Sequence, residues 1–445
     1  MYMQVAIHAF QKHGFRNMQT LGMGSRECRE GEQTMSDIGS NPSSSQSIRE
    51  DVNNHIHTCY SFSPYTPEQA VLRAKEAGLA TAGIMDHDTL AGAEAFERAG
   101  RRHGVPTTVG MEVRADFSHT PLKGRRINNP DQISIAYVAL HAIPRSSREA
   151  LQQFMKPYAE ARMIRNRVMT RRLNTLLQPH GIVLDFDRDI LPMSSWQEGG
   201  SITERHLLFA LAQRLLSTIG SGAMLLSFLD EKLGIPLTAK AKEQLGNPEN
   251  PHIAYDLLGL LKSALVEKFY VNATAECPDI QTLAKASHEA EAILAYAYLG
   301  DVTDSVTGDK KTQAFEDDYL ELLFTTLKEL GFQAITYMPS RNTPAQLQRL
   351  RTLCEQHGFF QISGEDINSP RQAFVCEAMR APGFENLVEA AWALIGHETA
   401  CGEGPGNGLF SDKSMALMPE LKTRTTHFAS LGRAVYKRTL GHAEG

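Results

Sequence analysis

Three short stretches decide the fold: Asn54-His55-Ile56-His57-Thr58, Thr81-Ala82-Gly83-Ile84-Met85-Asp86-His87-Asp88 and Thr107-Thr108-Val109-Gly110-Met111-Glu112. Each reads as a hydrophobic strand that ends in metal-ligand residue types. A fourth, Phe359-Phe360-Gln361-Ile362-Ser363-Gly364-Glu365-Asp366, lies far downstream. Side chains alternate faces along a strand, so His55 and His57 point the same way. Imidazole with carboxylate suits Zn, Mn or Fe, and carboxylate with water suits Mg or Mn. Ligands gathered at the C-terminal ends of parallel strands are the active-site plan of an α/β barrel. The pattern points to metal-assisted hydrolysis.

Working outward, helices separate these strands. Pro67 to Leu79 has proline at its start, Gly78 near its end and Thr66 as a candidate N-cap. Ala91 to His103 reads as a second helix. Together with the strands this is a βαβαβ run, which implies a parallel sheet. From about Ser146 to Ala290 the alternation stops and long helical patterns dominate: Glu149 to Leu177 with a kink expected at Pro157, Leu207 to Ile219, and Ile253 to Glu267. After about Ala292 the alternation returns through Ile293–Tyr296, Phe315–Leu330, Ala334–Tyr337, Thr343–His357 and Phe359–Ser363. The expected organisation is a barrel in two halves, 49–145 and 291–380, interrupted by a helical insertion at 146–290. A C-terminal helical segment, 381–445, is expected to pack outside the barrel. Residues 1–48 carry a low-complexity stretch from Ser40 to Ser47 and read as a disordered extension; Met35 is an alternative start.

Composition sets the class. The chain has 445 residues, 42% hydrophobic and 22% charged, as in globular proteins. Its formal net charge of −6 speaks against a dedicated nucleic-acid binder, though not against cleavage in one basic pocket. The six cysteines form no Cys-x-x-Cys pair and read as reduced thiols in a cytoplasmic protein. Cys59, two residues past His57, reads as a bystander. No apolar run approaches the roughly 20 residues of a membrane-spanning helix.

The order and spacing of these motifs resemble the PHP (polymerase and histidinol phosphatase) family of metal-dependent phosphoesterases. The matching residues are His55-Ile56-His57-Thr58, Pro67-Glu68, Met85-Asp86-His87-Asp88 and Gly110-Met111-Glu112, with Thr203-Glu204-Arg205-His206-Leu207 and Ser363-Gly364-Glu365-Asp366-Ile367-Asn368 further on. The resemblance implies a distorted seven-stranded (β/α) TIM-like barrel with a large all-helical insertion and up to three divalent metals. Carried over by position, one site is complete: His55, His57, Glu112 and Asp366. A second shares a bridging Glu112 and keeps His206, with Asp301 in place of a missing histidine. A third keeps His87. Three departures stand out: Tyr60-Ser61-Phe62-Ser63 lacks the family's aspartate, Ala295-Tyr296-Ala297-Tyr298 replaces its Ala-His-Pro, and Asn368 replaces a final histidine. An amide oxygen is a weak, neutral ligand beside imidazole, so one or two tightly held ions are expected, of Zn, Mn, Fe or Mg.

The remaining candidates have bland readings beside the functional ones. Asp86 is a ligand or a helix cap; Asp88 reads as a cap for the next helix. His141 ends the apolar run Ile135–Leu140, where a ligand would sit, but reads as a core or rim histidine. His87 or His206 is the expected proton donor to a leaving alkoxide. Arg162, Arg165, Arg167, Arg171 and Arg172 read as a solvated helix face. Arg205, Arg341 and Arg371 flank strand-end motifs and are better phosphate candidates. The expected substrate is a small phosphomonoester or nucleotide. The alternatives are an oligonucleotide phosphodiesterase and a non-catalytic metal-binding barrel.

Overall fold

The computed structural model describes residues 50–301 and 314–441. The expected N-terminal extension, 1–48, and Asp304 lie outside them. Seven strands form one sheet in sequence order: β1 (Asp51–Ile56), β2 (Leu79–His87), β3 (Thr107–Asp116), β4 (Ile135–His141), β5 (Ile293–Ala297), β6 (Ala334–Tyr337) and β7 (Phe360–Ser363). The helices that matter below are α1 (Pro67–Glu76), α2 (Ala93–His103), α3 (Arg148–Leu177), α4 (Glu204–Thr218), α5 (Ile253–Phe269), α6 (Ile280–Glu289), α7 (Leu320–Glu329), α8 (Pro344–His357), α9 (Glu385–Glu403) and α10 (Leu421–Gly441). The sheet is mixed: β4 runs antiparallel to both β3 and β5, and the other pairs are parallel. It curls until its edges meet. His57 N–H donates to Ile367 O (2.9 Å) and Ile367 N–H to His55 O (3.1 Å), nearly closing a barrel.

Local chemistry explains the helix starts. Thr66 and Thr343 each form a capping box, with Gln69 and Gln346 reaching back, and proline opens both α1 and α8. Alternation then sorts the strand side chains. The outer face (Ile84, Val109, Met111, Val138, Leu294, Ile335) packs under α1, α2, α6, α7 and α8. The inner face carries the ligand-type residues at one end and small or apolar residues below: Met85, Ala139, Ala295, Ala334 and Ile362. The C-terminal segment corrects the expectation that it lies outside. Ala390, Trp392, Ala393 and Leu394 of α9 join these inner-face residues in one core, with Phe428 and Ala429 of α10 behind them. Two glycines permit the close approaches this needs. A Cβ on Gly110 would meet Met85 Cε at 2.4 Å and Leu140 O at 2.8 Å, and one on Gly364 would meet His55 Cβ at 2.6 Å.

The 146–290 region is mainly helical, and its middle builds a separate core of Met169, Leu173, Leu207, Leu211, Leu261 and Phe269 that also takes in Phe62, whereas Leu151 and Met155 of α3 and Ile280 and Leu283 of α6 belong to the barrel core. α3 continues through Pro157. Among the described residues no helix is long and apolar enough to cross a membrane, and the five described cysteines are free.

Candidate metal centre

His55 and His57 sit where β1 ends, His87 at the end of β2 and Glu112 in the middle of β3, directly paired with His87. Among the described residues one group of at least three His, Cys, Asp or Glu side chains meets metal-ligand spacing: His55, His57 and Glu112, with ligand atoms within 4.8 Å of one another. Glu112 Oε2 lies 3.8 Å from His55 Nε2, 4.0 Å from His57 Nε2 and 3.0 Å from His87 Nδ1. Asp366, carried in by the loop after β7, places Oδ1 3.2 Å from His57 Nε2. Burial disfavours a charged Glu112, but the imidazoles of His87, His55 and His57 override it and hold the carboxyl at about 2. Burial holds His87 near 3, so its ring is neutral. For His55, burial opposes the charged form, yet the Glu112 carboxylate raises it overall. Asp366 is held well below the usual range: burial works against this, and His57, His55 and Arg205 prevail.

Hydrogen bonding orients the His57 ring. Ser61 Oγ donates to Asp86 Oδ1 (2.7 Å), so its lone pair is left to accept from His57 Nδ1 at 3.3 Å. His57 Nε2 on the other side is fully buried and has no hydrogen-bond partner. It faces two carboxylates, and leaving such an atom unpaired costs about 1–3 kcal/mol. A divalent cation fits this donor set, because ligands must present lone pairs and anionic oxygens. Asp86 is the orienting residue behind it. Its two oxygens take Thr58 N–H (2.7 Å), Thr58 Oγ (2.6 Å) and Ser61 Oγ, so it stands as an acceptor already in use, outside the ligand group.

His141 is a core histidine, as the sequence reading has it, and it lies beside the cluster. It lies on β4 two residues past Ala139, the partner of Glu112, and so faces the barrel interior. It is 1% exposed, with Nε2 buried and unpartnered. Burial drives it to about 3, and the nearest charged groups acting on it are His55 and Glu112. The signal was present: a histidine ending an apolar strand, in phase with the inner face.

Other expected residues fall elsewhere. His206 Nδ1 accepts Thr203 N–H (3.0 Å), so its ring proton sits on Nε2, and its edge meets Phe62 with centroids 5.0 Å apart. As placed it is a donor rather than a ligand. Asp301 Oδ1 accepts Phe315 N–H (2.6 Å) in a tyrosine–carboxylate knot beyond β5. Asn368 Nδ2 donates to Asp366 Oδ1 (2.6 Å), bracing a carboxylate instead of replacing an imidazole. Asp88 does not cap α2, whose N-cap is Gly92; it is buried with φ of 55°. Arg371 is spent on Asp256 and Asn250, and Arg341 Nε donates to Leu299 O. Arg205 lines a cleft with His87, Arg114, Arg162 and Tyr137, and among the described residues no acid lies within ion-pair distance of it. Arg162 and Arg165 are buried, against the solvated-face reading.

The fold and this cluster define an α/β barrel with a candidate divalent-metal centre at one end of its strands. The PHP domain profile matches residues 53–335, well over half of the chain, and the protein belongs to the PHP domain family. Two solved structures are similar to it. One is a protein from Bifidobacterium adolescentis with the provisional name of metal-dependent phosphoesterase (19% identity, TM-score 0.47, covering 74% of this chain and 94% of that one). The other is an amidohydrolase from Chromobacterium violaceum with bound sulfate and no metal (17% identity, TM-score 0.45, 73% and 90%). No curated protein matches the chain.

Proposed function

We propose that the protein is a metal-dependent hydrolase of phosphoesters, acting on a small phosphomonoester or nucleotide. The observation that carries this reading is the buried, unpartnered His57 Nε2 facing Glu112 and Asp366. His55, His57, Glu112 and Asp366 would hold a divalent ion, with His141 extending the donor set and His87 bracing Glu112 through Nδ1. That ion supplies the Lewis acidity phosphoester hydrolysis needs. Zn, Mn and Fe suit the mixture of imidazole and carboxylate.

The chain's own residues do the rest. Arg205 offers a guanidinium fork to the phosphoryl oxygens, and its charge lies close enough to lower Asp366. His87, neutral at pH 7, lines the cleft; with Nδ1–H directed at Glu112 it keeps a lone pair on Nε2 able to accept a proton. His206, with its proton on Nε2, is the donor suited to a leaving oxygen. An oligonucleotide substrate is less favoured, since Arg114 and Arg162 in the cleft are already ion-paired to acids. The free thiols suit a cytoplasmic setting.

The test is metal content by elemental mass spectrometry on wild type and on His55→Ala/His57→Ala, followed by p-nitrophenyl phosphate hydrolysis. One or more equivalents in the wild type, lost with hydrolysis in the double variant, is expected. No bound metal after incubation with Zn, Mn or Mg would favour a non-catalytic barrel.

A further inference from the structure

A buried ion-pair network joins the helical insertion to the metal centre. Arg162 and Arg165 of α3, and Glu204 at the start of α4, come from the insertion. Glu276 precedes α6, Arg114 lies on β3 two residues after Glu112, and Asp88 follows His87. Glu276 Oε1 is 2.7 Å from Arg114, 3.2 Å from Arg165 and 3.4 Å from Arg162 Nε. Glu204 Oε1 lies 3.1 Å from Arg114 and 2.7 Å from Arg165. Arg162 Nη1 reaches 2.5 Å from Asp88 Oδ2. Three guanidinium groups thus meet three carboxylates out of water, where an ion pair persists only when its members are mutually compensated.

One arm of this network ends on the metal centre. Asp88 sits in the left-handed region, φ 55°, which is uncommon for a residue with a Cβ although aspartate tolerates it better than most. Its N–H donates to Glu112 O (2.9 Å), while the preceding His87 places Nδ1 3.0 Å from Glu112 Oε2. The turn continues the β2–β3 pairing that sets His87 beside Glu112, and the sole ion-pair partner of Asp88 among the described residues is Arg162.

We propose that Arg162 is a positioning residue: by gripping Asp88 it fixes the turn after β2 and seats His87 against Glu112, so that a side chain of the insertion completes the metal centre of the barrel. The inference rests on the metal-centre reading above. Outer-shell partners of metal ligands typically contribute about 10–100-fold in affinity, and the fork shape of arginine allows one side chain to hold both Asp88 and Glu276.

The experiment compares full-length wild type, Arg162→Lys, Arg162→Met and the double variant Asp88→Asn/Arg162→Met. Zn affinity is read by chelator competition, the Co(II) visible spectrum reports ligand geometry, and thermal unfolding of metal-free protein reports stability. Arg162→Met should weaken Zn about 10–100-fold and change the Co(II) spectrum, with Arg162→Lys in between. The double variant removes both buried charges, so it should recover thermal stability and still bind Zn as weakly as Arg162→Met. Unchanged Zn affinity and Co(II) spectrum in Arg162→Lys and the double variant would overturn the proposal, as would recovery of wild-type affinity in the double variant. A wild type that binds no metal would instead sink the metal-centre reading itself.

Discussion

Glu112, within β3, and Glu316, beyond β5, are both buried carboxyls, yet their surroundings drive them in opposite directions. Glu112 is encircled by imidazoles and is held as a carboxylate at about 2. Glu316 accepts from Tyr296 OH (3.2 Å), Leu299 N–H (2.8 Å) and Gly300 N–H (3.3 Å), and burial pushes it up to about 8 despite the amides. Beside it, Asp317 takes Tyr298 OH (2.5 Å), Asp301 N–H (3.0 Å) and Gln346 Nε2 (2.7 Å). The difference lies in the partners. Imidazoles bring lone pairs that a cation can join; phenols and amides bring protons that close the account locally. Tyr296 and Tyr298 stand where the PHP resemblance placed a histidine, and with them the β5 end becomes a hydrogen-bonded knot that draws in Asp301.

The sharpest way to break this contrast is at Glu112. Glu112→Ala should lower metal affinity by at least about 100-fold, more than loss of an outer-shell partner does, and abolish p-nitrophenyl phosphate hydrolysis; retention of both would end the bridging-ligand reading. Next in size is Asp86→Asn. It disturbs the Ser61 relay that orients the His57 ring and should weaken metal about 10–100-fold with little change in fold; a spectroscopically normal Co(II) site of unchanged affinity counts against the relay.

Glu316→Gln addresses the other glutamate through pH. Folded Glu316 keeps its proton up to about pH 8, whereas an unfolded glutamate releases it near about 4.3. Between those values the folded state binds more protons, so its stability is full below the lower value and falls as pH rises. Glutamine cannot ionise. The variant should match wild type at or below about pH 4 and exceed it above about pH 8 by on the order of 1–3 kcal/mol in urea unfolding. A difference that stays flat across this range rules out a neutral Glu316. The smallest effect is expected from Tyr298→Phe, which removes one of three donors to Asp317: about 0.5–1.5 kcal/mol of stability, with metal affinity unchanged. Metal loss there would erase the distinction between the two clusters.

Most of the barrel was legible because its signals are local. Thr66 before Pro67, the strand runs that carry His55, His87 and Glu112, and the Gly364-Glu365-Asp366 segment after β7 can each be read within a few residues, although β3 runs on to Asp116 instead of ending at Glu112. His141 was harder because alternation gives its face but not its depth. Depth depends on β4 running antiparallel to β3, and strand direction is set by pairing. The burial of Arg162 and Arg165 was not legible either: their acid partners, Asp88, Glu204 and Glu276, come from three distant segments. The same holds for α9, whose alanine-rich face reads equally well as an outer layer until the taper of the barrel interior is known.

The seam of the barrel carries one more consequence. Asn54 hydrogen-bonds Ser363 O across 309 residues of sequence, and the adjoining His55 and His57 meet Asp366 only when β1 and β7 come together. During synthesis the first two ligands leave the ribosome long before the last. A growing chain therefore cannot bring this cluster together until the seam between β1 and β7 closes.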